Sequence, residues 1–128
     1  MFWKADCNLH IQTFSPNHSD AHILNENQQP WQLTGFYCYQ KSSRKHESWR
    51  LLKHLQARSS LPWVCLGDFN DILHSDEKQD RLPKSFAPML AFKETLLQCG
   101  LEDLGYQGYT FTCRNGRPGD AFVEQRLD

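Results

Sequence analysis

The stretch Pro62-Trp63-Val64-Cys65-Leu66-Gly67-Asp68-Phe69-Asn70 passes from a continuous apolar run into a glycine, a carboxylate and a carboxamide. A short apolar run of this kind, opened by proline and closed by glycine, predicts a strand inside a sheet, covered on both faces. Gly67 lets the backbone turn without a Cβ clash. Asp68 and Asn70, two apart at the strand's end, can then both face one cleft. There Asp68 can accept a proton or orient water, while Asn70 donates to a phosphate oxygen and accepts from an attacking water. Gly-Asp-x-Asn is also ordinary turn chemistry. On residue types alone both readings stay open.

Working outward, Trp31-Gln32-Leu33-Thr34-Gly35-Phe36-Tyr37 predicts the preceding strand, and a helix is expected from about Ser43 to Arg58. Trp49, Leu52 and Leu55 recur on one face of that helix, with Leu51 adjacent and Lys and Arg over the rest. Upstream, Met1 to Ala5 reads as part of a strand. Asn8 to Phe14 alternates Leu9, Ile11 and Thr13 against His10, Gln12 and Phe14, and Ser15-Pro16-Asn17-His18 followed by His22-Ile23-Leu24 predicts a hairpin. Downstream, Met89, Phe92, Leu96 and Cys99 line one face of a helix expected over Pro88 to Cys99. Ser85 is placed to cap its start and Gly100 to end it. Tyr109 to Arg114 alternates as a strand, Asn115-Gly116-Arg117-Pro118-Gly119 is turn chemistry, and Ala121 to Asp128 returns as a strand. Strands interspersed with helices and hairpins make a mixed α/β fold.

The chain of 128 residues is the size of one ordinary domain. Its 39% hydrophobic and 23% charged residues exclude a disordered chain, and a mean hydropathy of -0.67 predicts a modest core. The net charge is -1, but Lys41, Arg44, Lys45, Arg50, Lys53 and Arg58 fall in one stretch, and Arg114, Arg117 and Arg126 lie near the C-terminus. Local basic surface of this kind is what phosphate contacts require, although a solvated helix face has the same composition. The five cysteines, Cys7, Cys38, Cys65, Cys99 and Cys113, contain no C-x-x-C spacing and several sit in apolar runs. That argues against zinc and for reduced thiols in an intracellular compartment. None of the six histidines forms a ligand-like pair on a predictable face. The N-terminus lacks a signal peptide's pattern, and no run reaches membrane-spanning length.

The tetrapeptide has company. Leu33-Thr34-Gly35-Phe36-Tyr37 and Trp63 to Leu73 resemble the endonuclease/exonuclease/phosphatase superfamily. Cys99-Gly100-Leu101-Glu102-Asp103-Leu104-Gly105, Tyr109-Thr110-Phe111-Thr112 and Glu124-Gln125-Arg126-Leu127-Asp128 continue the match in the same order. Together these five blocks are similar to the apurinic-type endonuclease domain that precedes reverse transcriptase in plant LINE (non-LTR) retrotransposons. The similarity covers nearly the whole chain.

The resemblance implies part of a DNase I-like four-layer α/β sandwich, two mixed sheets flanked by helices, over residues 1–128. It implies hydrolysis of a DNA phosphodiester by an in-line water, with Mg²⁺ stabilising developing charge. Asp68 matches the proton-transfer or water-orienting aspartate, and Asn70 the asparagine that positions phosphate and nucleophile. Tyr37 matches the phosphate-contacting tyrosine, and Asp128 the aspartate that orients a catalytic histidine. Thr110, Thr112, Arg114 and Asn115 fall in the hairpin region that approaches DNA. Against these stand plainer readings: Tyr37 as a core aromatic, Asp128 as a solvated carboxylate, and Thr110 and Thr112 as the open face of an edge strand.

The family's N-terminal asparagine, its metal-binding glutamate and its Ser-Asp-His triplet have no counterpart in this sequence, so the expectation is a partial domain, inactive or nearly so, without a metal site of its own. Cys38 and Cys113 stand where the family commonly has Gly and Trp, and the expected proline is absent from Tyr39-Gln40-Lys41. Two other functions remain in view. One is a phosphatase of the same superfamily, which shares Gly-Asp-x-Asn; the other is a non-catalytic nucleic-acid-binding module using the basic helix face.

Overall fold

The computed structural model describes residues 7–73, 78–79, 86–105, 113–114 and 124–125. The chain divides into two compact units, Met1–Asp68 and Phe69–Asp128.

The first unit holds strands β1 (Leu9–Ser15), β2 (His18–Ile23) and β3 (Trp31–Tyr37), a 3-10 turn at Ser42–Arg44, helix α1 (Lys45–Arg58) and strand β4 (Trp63–Asp68). The four strands form one sheet in the order β1-β2-β3-β4. β1 and β2, and β2 and β3, pair antiparallel; β3 and β4 pair parallel. A parallel pair needs a crossover, and α1 supplies it.

The expected alternation along β1 breaks at one point. Ile11 pairs with Ala21 but Thr13 pairs with Asp20, so Gln12 is the extra residue of a β-bulge. Phe14, opposite Ser19, consequently shares the face of Ile11 rather than that of His10. Because side chains alternate with period two, a single inserted residue reverses every assignment after it.

The two faces of the sheet differ. On one, Asp20, Gln32, Thr34 and Phe36 are buried. Helix α1 lies over this face, with His54 near enough to His18 to bear on its protonation, and it contributes the buried Trp49, Leu52 and Leu55. The spacing of those three is the one the sequence displays. Tyr39 N–H donates to Ser48 Oγ at 3.0 Å, tying the exit from β3 to the helix. The Arg44 guanidinium sits 3.8 Å from the centre of the Tyr39 ring and bonds both oxygens of Glu47. On the other face Ala21 and Ile23 are buried, but Ile11, Phe14, Val64 and Leu66 are exposed. β4 therefore departs from the expectation of a strand covered on both faces. Among the described residues it pairs only with β3, and Leu66 is 54% exposed.

The second unit contains β5 (Lys78–Gln79), α2 (Phe86–Cys99), β6 (Cys113–Arg114) and β7 (Glu124–Gln125), with the strands in the order β5-β7-β6 and both pairings antiparallel. α2 starts two residues before the expected Pro88, which is tolerated because the first N–H groups of a helix lack internal partners in any case. Phe92, Leu96 and Cys99 are buried as their spacing predicts, and the Phe69 and Phe92 rings lie 5.5 Å apart. Gly100 ends the helix at φ +68; its N–H reaches Leu97 O at 3.1 Å, and Leu101 N–H reaches Leu96 O at 2.9 Å. Both bonds satisfy carbonyls that the helix leaves open, and glycine adopts the required left-handed conformation without a Cβ penalty. β5 has no counterpart in the sequence-based expectation.

A mixed α/β fold with a four-stranded mixed sheet and two helices is consistent with part of a DNase I-like fold. The expected strand at Met1 to Ala5, the cap at Ser85, residues 106–112 and 115–123, and Asp128 lie outside the described residues.

Candidate active site at the ends of the parallel strands

β3 and β4 run parallel and end together. Their register pairs Phe36 with Gly67 and Tyr37 with Asp68. Gly67 has φ +147, and a Cβ built on it would lie 1.8 Å from Phe36 O and 2.8 Å from Phe36 C. Only glycine permits so close an approach, so the residue before Asp68 is fixed by the neighbouring strand as well as by the turn. Register partners on neighbouring parallel strands, about 5 Å apart, project to the same face. Tyr37 and Asp68 thus stand side by side at the C-terminal ends of β3 and β4, Tyr37 45% exposed and Asp68 half-buried.

The main chain around them is held from two sides. Cys38 N–H donates to Asp68 O at 2.8 Å. From the β1–β2 turn, Asn17 O accepts from Tyr37 N–H at 2.8 Å, and Asn17 Nδ2 donates to Tyr37 O at 2.9 Å. At the tip of the ring, Gln40 Nε2 donates to the Tyr37 hydroxyl at 3.3 Å. A phenol that accepts a bond from an amide keeps its own proton to donate, for example to a phosphate oxygen. Asn17 and Gln40 are the contributors that the sequence reading missed. Asn17 carries only a turn signal, and nothing in the pattern marks Gln40.

Asn70 belongs to the second unit and takes φ +48, a left-handed conformation that asparagine tolerates better than most residues. Beside it Asp71 is 2% exposed, with its Oδ1 accepting from Ile72 N–H at 3.0 Å. Local turn chemistry is therefore present in the segment, on Asp71. Arg114 lies in β6 opposite Glu124. Thr110, Thr112, Asn115 and Asp128 lie outside the described residues.

Among the described residues no three His, Cys, Asp or Glu side chains gather to hold a metal ion. Mg²⁺ takes a near-octahedral set of oxygens, usually one or two carboxylates with water and phosphate. The strand-end site described contributes the single carboxylate of Asp68, and that donor set does not make a metal site by itself. Its own chemistry is a carboxylate able to take a proton beside a hydroxyl able to donate one.

The family model described as Endonuclease/Exonuclease/phosphatase family matches residues 6–122. The chain belongs to the endonuclease/exonuclease/phosphatase family. Comparison with curated proteins gives no match. Membership in this family of nucleases and phosphatases gives the paired Tyr37 and Asp68 a chemical context, since its members generally use a divalent metal and many act on nucleic acids. The described cysteines Cys7, Cys38, Cys65 and Cys99 form no disulfide among the described residues.

Proposed function

We propose that this chain is the phosphodiester-hydrolysing endonuclease portion of a non-LTR retrotransposon protein, acting on DNA with Mg²⁺, and that its 128 residues alone are poorly active. The observation that carries the reading is the pairing of Tyr37 with Asp68 at the common end of β3 and β4. In this reading the Tyr37 hydroxyl, with Gln40 behind it, donates to a phosphate oxygen. Asp68 takes or orients the proton of the attacking water, and Asn70 positions the phosphate. Asp128 matches the aspartate that orients the family's catalytic histidine, a partner with no match in this sequence, and Thr110, Thr112, Arg114 and Asn115 approach the DNA. The five ordered sequence blocks support the retrotransposon branch over a phosphatase of the same family. Low activity follows from the absence of matches to the metal glutamate and to Ser-Asp-His, because catalytic groups that act as a unit fail together.

Two measurements test this. With Mg²⁺, the purified chain is expected to nick supercoiled plasmid no faster than its Asp68→Ala/Asn70→Ala variant; a clear Mg²⁺-dependent excess would refute the low activity while strengthening the endonuclease assignment. Tyr37→Phe removes one hydrogen bond, worth about 0.5–1.5 kcal/mol, so duplex DNA should bind roughly two- to tenfold more weakly at every salt concentration. Unchanged affinity, or preferential binding of an inositol phosphate, would remove the DNA site from these strand ends.

A further inference from the structure

The crossover helix has a second surface that the strand-end site does not use. One side of α1 is buried through Ser48, Trp49, Leu52 and Leu55. His46, Arg50, Lys53 and Ala57 follow one another at intervals of four, three and four and are all exposed, which places them along the side turned to solvent. The segment Lys41 to Arg58 contains six basic residues and one acid, Glu47. That acid is already held by Arg44 at 3.0 Å. Fourteen of the fifteen acids therefore lie elsewhere, with eight of the fourteen basic residues. The chain is nearly neutral in sum and polarised in distribution.

We propose that the exposed face of α1, centred on Arg50 and Lys53, docks the phosphate backbone of double-stranded DNA. Charge complementarity selects the occupant, because neutralising phosphates releases condensed counterions and needs only fixed cations on an accessible surface. A bilayer is the less suitable anion. Membrane-surface helices insert Trp, Phe or Leu between the lipids, whereas the large apolar side chains Trp49, Leu52 and Leu55 are spent on the protein's own core. Ala57 is the only exposed apolar residue of α1. α1 also starts only a few residues past Tyr37, so its first exposed cations lie toward the end of the sheet where β3 and β4 finish. The surface is distinct from the strand-end site and holds or fails independently of it.

The test uses the whole chain and a fluorescent 20-base-pair duplex, with affinity measured across a series of NaCl concentrations. Each cation that neutralises a phosphate contributes about 0.9 to the slope of log K against log[salt]. Arg50→Gln/Lys53→Gln is therefore expected to lower the slope by about 1.8 and the affinity at ~0.1 M salt on the order of tens-fold. Lys53→Gln alone should give about half the change in slope, and Arg50→Lys/Lys53→Arg should keep the wild-type slope. Tyr37→Phe, which alters no charge, should leave the slope unchanged whatever it does to affinity. The proposal is overturned if the double Gln variant binds with wild-type slope and affinity, or if the charge-preserving pair loses as much as the neutral one. It is equally overturned if vesicles of phosphatidylserine and phosphatidylcholine, and not DNA, respond to the Gln substitutions. Circular dichroism of each variant separates these outcomes from loss of α1.

Discussion

The two faces of the four-stranded sheet share the same strands and are stabilised by different means. Under α1, Gln32 Nε2 donates to Asp20 Oδ1 at 2.9 Å, and the Thr34 hydroxyl donates to the same oxygen. Trp63 Nε1 donates to Thr34 Oγ1 at 2.8 Å. One chain of polar contacts therefore links β4 to β3 to β2 in a buried setting. The opposite face carries Ile11, Phe14, Val64 and Leu66 in exposed positions, with no comparable polar tie between strands among the hydrogen bonds described. The difference teaches where register is set. A slip of one residue would carry Thr34 to the other face and leave Asp20 and the Trp63 N–H unpaired, a cost the exposed apolar side could not impose. The pairing of Tyr37 with Asp68 is thus fixed largely from the covered face, although both side chains lie on the other.

The largest expected effect comes from the point where that register meets the site. Gly67→Ala would set a Cβ 1.8 Å from Phe36 O, on a residue at φ +147. Left-handed strain costs roughly 1–3 kcal/mol, and backbone displacement by overpacking adds about 1–3 kcal/mol. Urea denaturation should accordingly show a loss of about 2–6 kcal/mol, or no cooperative transition. A variant within ~0.5 kcal/mol of the parent would mean that the strands do not approach as closely as described.

The next effect compares the faces directly. Thr34→Val keeps the shape of a buried side chain but strands the Trp63 N–H and one acceptor position on Asp20, for an expected loss of about 1–3 kcal/mol. Leu66→Thr, on the exposed face of the neighbouring strand, should stay within about 0.5 kcal/mol. Equal losses at the two positions would erase the distinction between the faces.

Much of this arrangement is legible in the sequence, for reasons that vary by element. α1 and α2 follow from their three-and-four spacing, because Trp49, Leu52 and Leu55, and Phe92, Leu96 and Cys99, are buried by that geometry. Gly100 marks a helix end because few other residues accept its conformation. Tyr37 and Asp68 could be brought together on paper, since each ends a strand and a helix-length segment separates the two strands. The coverage of β4 could not, because an apolar run is the same string of letters whether one face or both are closed. The bulge at Gln12 left no signal, and its consequence for Phe14 was lost with it. Nothing in the sequence marks Asp20; its burial depends on Gln32, Thr34 and Trp63 arriving from other parts of the chain. At the site, Gln40 escaped because its role depends on where the Tyr37 hydroxyl ends up.

The smallest expected effect concerns pH and lies at the margin of the covered face. His18 opens β2, with its Nδ1 2.8 Å from Ser15 Oγ and its Nε2 2.9 Å from Thr13 Oγ1. Burial lowers its pKa from the ordinary value near 6.5; Asp20 partly offsets this, and His54 adds to the lowering. Depression of a histidine pKa in the folded state means that, as pH falls, the unfolded chain takes up the proton first. The contribution of His18 to stability is therefore full above the unfolded-state pKa and declines as pH falls through about 6.5 toward the lower folded-state value. His18→Gln should flatten that part of the stability–pH curve between pH ~7 and ~5 while leaving its alkaline side unchanged. Because His18 is only half-buried, the change should be small, a modest shift in denaturation midpoint. A parent protein that gained stability from His18 on acidification would reverse the sign and show that Asp20, rather than burial, governs this end of the sheet.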